Sequence, residues 1–123
     1  MHLTTILVED SNTIQLTLVP ALEELAGARV VATATTAAQA RQALQEWHGQ
    51  WQLIVVDLFL AAGSGLEVLQ AVRAREPGQH AIVLSNYATD DMRRRCLELG
   101  ADAVFDKSTE LEAFFEHCSS LPE

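Results

Sequence analysis

Five short runs of aliphatic residues constrain this chain more than any other feature: Leu3 to Val8, Ala28 to Ala34, Leu53 to Val56, Ala81 to Leu84 and Ala103 to Phe105. They recur at roughly 22 to 28 residue intervals without clean polar–apolar alternation, which is how strands buried on both faces read. Between them, apolar residues recur at helical spacing. The stripes are Ile14, Leu18, Leu22 and Leu25; Ala40, Ala43, Leu44 and Trp47; Leu66, Leu69 and Val72; Met92, Cys96 and Leu99; and Leu111, Phe114, Phe115 and Cys118. Strands alternating with helices predict a doubly wound (βα)5 α/β domain with a five-stranded parallel sheet and right-handed crossovers.

Boundary signals agree with that division. Ser11 and Thr89 are plausible N-caps, and Ser64 with Glu67 and Thr109 with Glu112 have capping-box spacing. Gly27 and Gly100 follow helix ends, and Pro77-Gly78 closes the third helix. Pro20 is the one local conflict, because it removes a bond in the third turn of the first helix; a kink near Leu16 is expected. A chain of 123 residues can bury roughly two-thirds of its unfolded surface as one domain. No linker, repeat or composition shift marks a second one, so a single domain over 1–123 is expected.

Seventeen acidic against eight basic residues leave a formal charge of −9, which removes the footprint that nucleic-acid binding requires. Cys96 and Cys118 are too few and too far apart for a disulfide framework or zinc site, and read as reduced thiols. The opening MHLTTILVED has no basic n-region and soon reaches paired acids, so neither a signal peptide nor a membrane anchor is expected. The expected location is the cytoplasm.

In open α/β sheets, ligands bind beyond the carboxyl ends of the strands. The first run ends in Glu9-Asp10, the third in Asp57, the fourth in Ser85 and the fifth in Lys107; the second ends in Thr33 to Thr36 and offers nothing comparable. Clustered carboxylates repel unless a cation neutralises them, so Glu9, Asp10 and Asp57 read as a hard-cation site that suits Mg²⁺ best. Lys107 is the only lysine, and a compact ammonium fits a small carboxylate and phosphate pocket as a planar guanidinium would not. Ser85 offers a hydroxyl without a histidine in any recognisable pattern, which argues against a nucleophilic serine.

With these residues at these strand ends, the chain resembles a response-regulator receiver domain of two-component signalling along essentially its whole length. The carrying features are Glu9-Asp10, Asp57 in VVDLFLAAGSGLEVL, Ser85 in IVLSNYA and Lys107 in GADAVFDKS. The resemblance implies a flavodoxin-like sheet of order 2-1-3-4-5, with Asp57 as phosphoacceptor. It implies that Asp10, Asp57 and the main-chain carbonyl of Phe59 bind Mg²⁺ directly, while Glu9 acts through a water. Ser85 would move to contact the phosphoryl group, and Lys107 would pair with Asp57 and then with a phosphoryl oxygen. The implied partners are a sensor histidine kinase or histidine phosphotransfer protein and a downstream protein. With no output domain within 123 residues, the reading is a stand-alone signalling module and not a turnover enzyme.

The sequence departs from that family at several points. Ala61 and Ser108 stand where prolines are usual, four residues after the phosphoacceptor and after the lysine. A non-proline cis bond costs about 2.5–4 kcal/mol, so trans and strained cis both stay open at Lys107-Ser108. Val104 occupies the usual place of a switch aromatic; Phe105 should face the other side of the strand, leaving Tyr87 as a substitute. Asn86 replaces a small residue, and Phe59 and Tyr87 fall where side chains line the approach of water, which predicts slow self-dephosphorylation. Arg93, Arg94 and Arg95 read as a solvated helix face, Trp47 and Trp51 as closing the apolar layer beneath the second helix, and His2, His48, His80 and His117 as surface residues. Two rival functions are a phosphorylation-independent interaction module and a metal-dependent phosphohydrolase. The latter is disfavoured because Phe59 stands where a second aspartate would serve as general acid.

Overall fold

A computed structural model describes residues 2–122. The elements alternate without exception: β1 Leu3–Val8, α1 Asn12–Ala26, β2 Ala28–Ala34, α2 Ala37–Glu46, β3 Leu53–Val56, α3 Gly65–Ala71, β4 His80–Ser85, α4 Asp90–Glu98, β5 Ala103–Asp106 and α5 Leu111–Ser119. The five strands form one parallel sheet in the order β2-β1-β3-β4-β5. β3 has no exposed position because both of its faces are covered.

Two apolar layers sandwich the sheet. On one side Leu18, Leu22 and Ala26 of α1 and Phe114 and Cys118 of α5 pack on Leu3, Leu7, Val55, Ile82 and Leu84. On the other, alanines of α2, Val68 and Leu69 of α3 and Cys96 of α4 pack on Ile6, Val8, Ile54, Val56 and Val83. Trp51 is buried in this second layer with Trp47 packed against it, as the sequence predicts. Val104 joins the second layer and Phe105 packs against the first, so no aromatic ring of β5 faces α4. Leu25 and Leu111 depart from their stripes and are exposed. In α1 the buried face steps from Leu18 to Leu22 to Ala26, which leaves Leu25 beside it, and Leu111 is the first residue of α5.

Helix ends follow the sequence signals in part. Ser11 and Thr89 cap α1 and α4 by accepting from the amides of Ile14 and Met92, and Gly27 takes the left-handed conformation after α1. Thr36, with Gln39 at capping-box spacing, caps α2 through the Gln39 amide. Ser64 stands at the start of α3 without a side-chain cap bond, and Glu110, not Thr109, holds the N-cap position of α5. The Glu110 carboxylate is instead engaged by Arg93 and by the amide of Asp106. α1 continues through Pro20 as one helix from Asn12 to Ala26. No peptide bond among the described residues is cis, so Lys107-Ser108 is trans.

The far edge of the sheet is stapled by Arg75, whose guanidinium donates to the carbonyls of Val72, Gln79 and Gly100 and to the Asp102 carboxylate. His80 and His117 are half-buried and not on the surface, His117 because its ring lies 5.5 Å from that of Phe105. Among the described residues, no helix is long and apolar enough to cross a membrane.

Two predictions follow from this packing. Cys96 and Cys118 are free and buried, and burial pushes the Cys118 thiol up to about 12. Both should ignore a disulfide-forming thiol reagent in the native protein and react only on unfolding, as a spectrophotometric thiol count with and without denaturant would show. Gly65 admits no side chain, because a Cβ there would lie 2.1 Å from the Asp57 carbonyl oxygen and 2.9 Å from the Leu58 Cα. Gly65→Ala should cost about 1–3 kcal/mol in urea unfolding, since both obstacles are backbone and cannot rotate away.

Candidate functional site

Strand register brings the polar residues together. In the β1–β3 pair Val8 lies opposite Val56, so Glu9 and Asp57 leave the sheet side by side. Their backbones are held there: the Asp57 amide donates to the Val8 carbonyl at 2.9 Å and the Glu9 amide to Ala34 at 2.8 Å. On the other side of β3, Ser85 pairs with Asp106, and the Lys107 amide donates to the Ser85 carbonyl at 3.1 Å. Four strand ends thus aim Glu9, Asp10, Asp57, Ser85 and Lys107 at one edge.

The side chains meet as well. The Lys107 ammonium donates to Asp57 Oδ2 at 2.9 Å and to Glu9 Oε1. Glu9 is 1% exposed and Asp57 7%, whereas Asp10 is open to solvent. The other Glu9 oxygen accepts from the Ser11 amide at 3.0 Å, and the other Asp57 oxygen accepts from the Leu58 amide at 2.7 Å. Burial pushes the Glu9 carboxyl up, against the Lys107 and Ser11 hydrogen bonds that lower it. Burial also pulls on Lys107 in the downward direction, but its bonds to Glu9 and Asp57 prevail and hold the ammonium above its ordinary value.

One ligand oxygen from each of Glu9, Asp10 and Asp57 lies within 4.8 Å of the others. The donors are all hard oxygens, and one ammonium against three carboxylates leaves two negative charges over. That set fits a hard divalent cation. Ser85 is fully buried and its Oγ accepts from the Tyr87 amide at 3.1 Å, which leaves the hydroxyl proton available to an acceptor.

Phe59 and Tyr87, from the loops that follow Asp57 and Ser85, stack with ring centroids 4.2 Å apart and planes inclined by 50°. Each keeps more than half its surface exposed, at 54% and 53%, so the pair stands over the loops and outside the core. Lys107 also borders an apolar cleft of about 370 Å³ between α1 and α5, lined by Ile14, Leu18, Leu84, Leu111 and Phe115.

Arg93 corrects the expectation of a solvated arginine face. Its guanidinium donates to the carbonyls of Ala88 and Val104 at 3.0 Å each and to the Glu110 carboxylate. It thereby ties the loop after β4, the strand β5 and the start of α5 to α4, while Arg94 and Arg95 stay exposed. The Arg93 guanidinium beside Glu110 holds that carboxyl below its usual range. Three adjacent arginines carry no sign of which one turns inward; only the short residue at 104 hinted at room there.

The sequence model of the response regulator receiver domain matches residues 5–119. Among solved structures, a LuxR-family DNA-binding response regulator from Staphylococcus aureus superposes with a TM-score of 0.82 at 18% identity, covering 97% of this chain and 98% of that one. The signal receiver domain of a DNA-binding response regulator from Colwellia psychrerythraea 34H gives 0.82 at 20% identity, covering 96% of each chain. A cyclic di-GMP phosphodiesterase from Thermotoga maritima is 33% identical over 58 residues, which are 47% of this chain and 16% of that protein. The structural likenesses establish the flavodoxin-like fold. With a family model spanning nearly every described residue and the acids and the lone lysine gathered at its carboxyl edge, the chain belongs to the response regulator receiver domains of two-component systems.

Proposed function

We propose that the domain accepts a phosphoryl group on Asp57 from a histidine kinase or a histidine phosphotransfer protein and signals by docking a downstream protein. The observation that carries this reading is the Lys107 ammonium bound at once to Asp57 and to Glu9, with Asp10 within reach of the same point. An oxygen of the Asp57 carboxylate attacks phosphorus, an O–P bond forms, and the N–P bond of the donor phosphohistidine breaks with its electron pair kept by the imidazole. Lys107 then faces a phosphoryl oxygen, and the Ser85 proton is available to another.

Asp10 and Asp57, with the main-chain carbonyl of Phe59, would hold Mg²⁺, and Glu9 would act through a water. When bound, the ion supplies charge neutralisation for the carboxylates and the incoming phosphoryl oxygens. Support comes from the all-oxygen donor set and its uncompensated charge. Among fold neighbours, a Borrelia burgdorferi structure is described as a CheX-CheY-BeF3-Mg+2 complex, and one from Burkholderia pseudomallei carries a phosphorylated aspartic acid and a calcium ion.

The cleft beside Lys107 gives a phosphodonor an apolar seat, and α1 carries no charged residue from Asn12 to Leu22. A cytoplasmic setting without nucleic-acid contact agrees with the charge of −9 and the free, buried thiols. The rival, a phosphorylation-independent interaction module, draws support from Val104, which leaves β5 without a ring that could swing toward Ser85.

Incubation with Mg²⁺ and acetyl phosphate should give an adduct of about 80 Da by intact mass, absent in Asp57→Asn. No adduct on the wild type would favour the interaction module; turnover of acetyl phosphate without an adduct would favour a hydrolase. The stacked Phe59 and Tyr87 rings should also shield the acyl phosphate from water. Replacing them by Phe59→Asn with Tyr87→Glu should shorten its lifetime on the order of tenfold, which is about 1.4 kcal/mol of barrier. Equal lifetimes would dismiss the shield.

A further inference from the structure

The connection from β4 to α4 begins at Ser85, and two sets of hydrogen bonds hold it. Within the connection, the Ser85 Oγ accepts from the Tyr87 amide at 3.1 Å, and Thr89 caps α4 through its hydroxyl while its carbonyl accepts from the Arg93 amide at 2.8 Å. The second set comes from the Arg93 side chain, which reaches back from α4. Its Nε donates to the Ala88 carbonyl at 3.0 Å, one terminal nitrogen to the Val104 carbonyl of β5 at 3.0 Å, and the other to the Glu110 carboxylate at the start of α5.

These bonds close a ring. The Glu110 oxygen that meets Arg93 also accepts from the Asp106 amide at 3.0 Å, and the Glu110 amide donates to the Asp106 carbonyl at 2.8 Å. Beside Asp106, the Lys107 amide donates to the carbonyl of Ser85, where the ring began. The Arg93 and Glu110 side chains keep 30% and 36% of their surface exposed, so their ion pair adds little to stability. What Arg93 supplies is geometry. A planar guanidinium holds three donors in fixed directions, which an ammonium on a flexible stem does not. A shift of Ser85 toward Asp57 therefore pulls Ala88 away from Nε or carries the guanidinium off Glu110.

We propose that Arg93 is a positioning residue for Ser85: its guanidinium restrains the connection after β4 and yields when Asp57 carries a phosphoryl group, so that Glu110 and the start of α5 register the state of the site. This rests on the reading of Asp57 as phosphoacceptor and of Ser85 as a contact to the phosphoryl group. Coupling between two places in a protein is reciprocal. Loosening the grip of Arg93 must then favour occupancy at Asp57.

The test uses the full chain with Mg²⁺ and beryllofluoride as the phosphoryl mimic. In NMR spectra of the wild type, the Arg93 side-chain Nε–H and the Glu110 amide should shift together as beryllofluoride is added. By titration calorimetry, Arg93→Lys and Glu110→Gln should each bind beryllofluoride about three- to fivefold more tightly than the wild type. Arg94→Lys, which alters an exposed neighbour paired with Asp91, should stay within about 1.5-fold of it. A guanidinium that merely fastens α4 in place would leave the affinity unchanged or lower it, so either result in both variants overturns the proposal. So does an unmoved Arg93 Nε–H in the wild type, a measurement that stands even if the variants do not fold. A wild type that binds no beryllofluoride overturns the reading of Asp57, and the proposal with it.

Discussion

One ammonium group shared by two carboxylates holds the carboxyl edge of this sheet together. Lys107 lies 98 residues from Glu9 and 50 from Asp57, and all three side chains are nearly closed to solvent. Each buried charge forfeits several kcal/mol of hydration, so neither acid could stay ionised there alone. Removing one partner of such a cluster generally costs about 3–5 kcal/mol, because the charge left behind has nowhere to go. The lysine answers part of that negative charge, and the charge left over suits a hard divalent cation. The acid cluster is thus a local energetic conflict that makes sense only as a site.

That cluster depends on the sheet beneath it. A parallel register with Val8 opposite Val56 puts Glu9 beside Asp57, and a slip of one residue would turn one of the two acids into an apolar layer. The two layers, one under α1 and α5 and the other under α2, α3 and α4, leave β3 with no freedom to slip. Rigidity in the strands lets the loops differ. The loop after β3 is tied to α2, the loop after β4 places Tyr87 on Phe59, and Arg93 gathers α4, β5 and the start of α5. With valine at 104, the contact between α4 and β5 includes a hydrogen bond from the Arg93 guanidinium to the Val104 carbonyl.

The strands and the site residues were legible because each depends on neighbours in sequence. Five aliphatic runs can be buried only one way, and whatever terminates them must emerge at one edge, which put Glu9, Asp10, Asp57, Ser85 and Lys107 within reach of each other on paper. The helix stripes were legible in their centres and failed at Leu25 and Leu111; in α1 the buried face ends on Ala26, a small residue that hydrophobic spacing passed over. The capping-box pair Thr109 and Glu112 failed because α5 starts one residue later, with Glu110 at the N-cap position and its carboxylate on Arg93. Thr36 and Gln39 carry the same spacing in the first turn of α2, and there the cap does form, with the Gln39 side chain turned to Thr35.

Sequence alone determined the alternation of elements, the burial of the sheet on both faces and the identity of the polar groups at its edge. These are local consequences of hydrophobic periodicity and chain direction. Tertiary structure decided which of three adjacent arginines turns inward, that the Phe59 and Tyr87 rings touch, and that the amide of Ala61 reaches the carbonyl of Thr35. Each of these joins segments whose separation in sequence carries no pattern. Backbone donors and acceptors in particular are the same at every residue, so only the folded chain can say which of them meet.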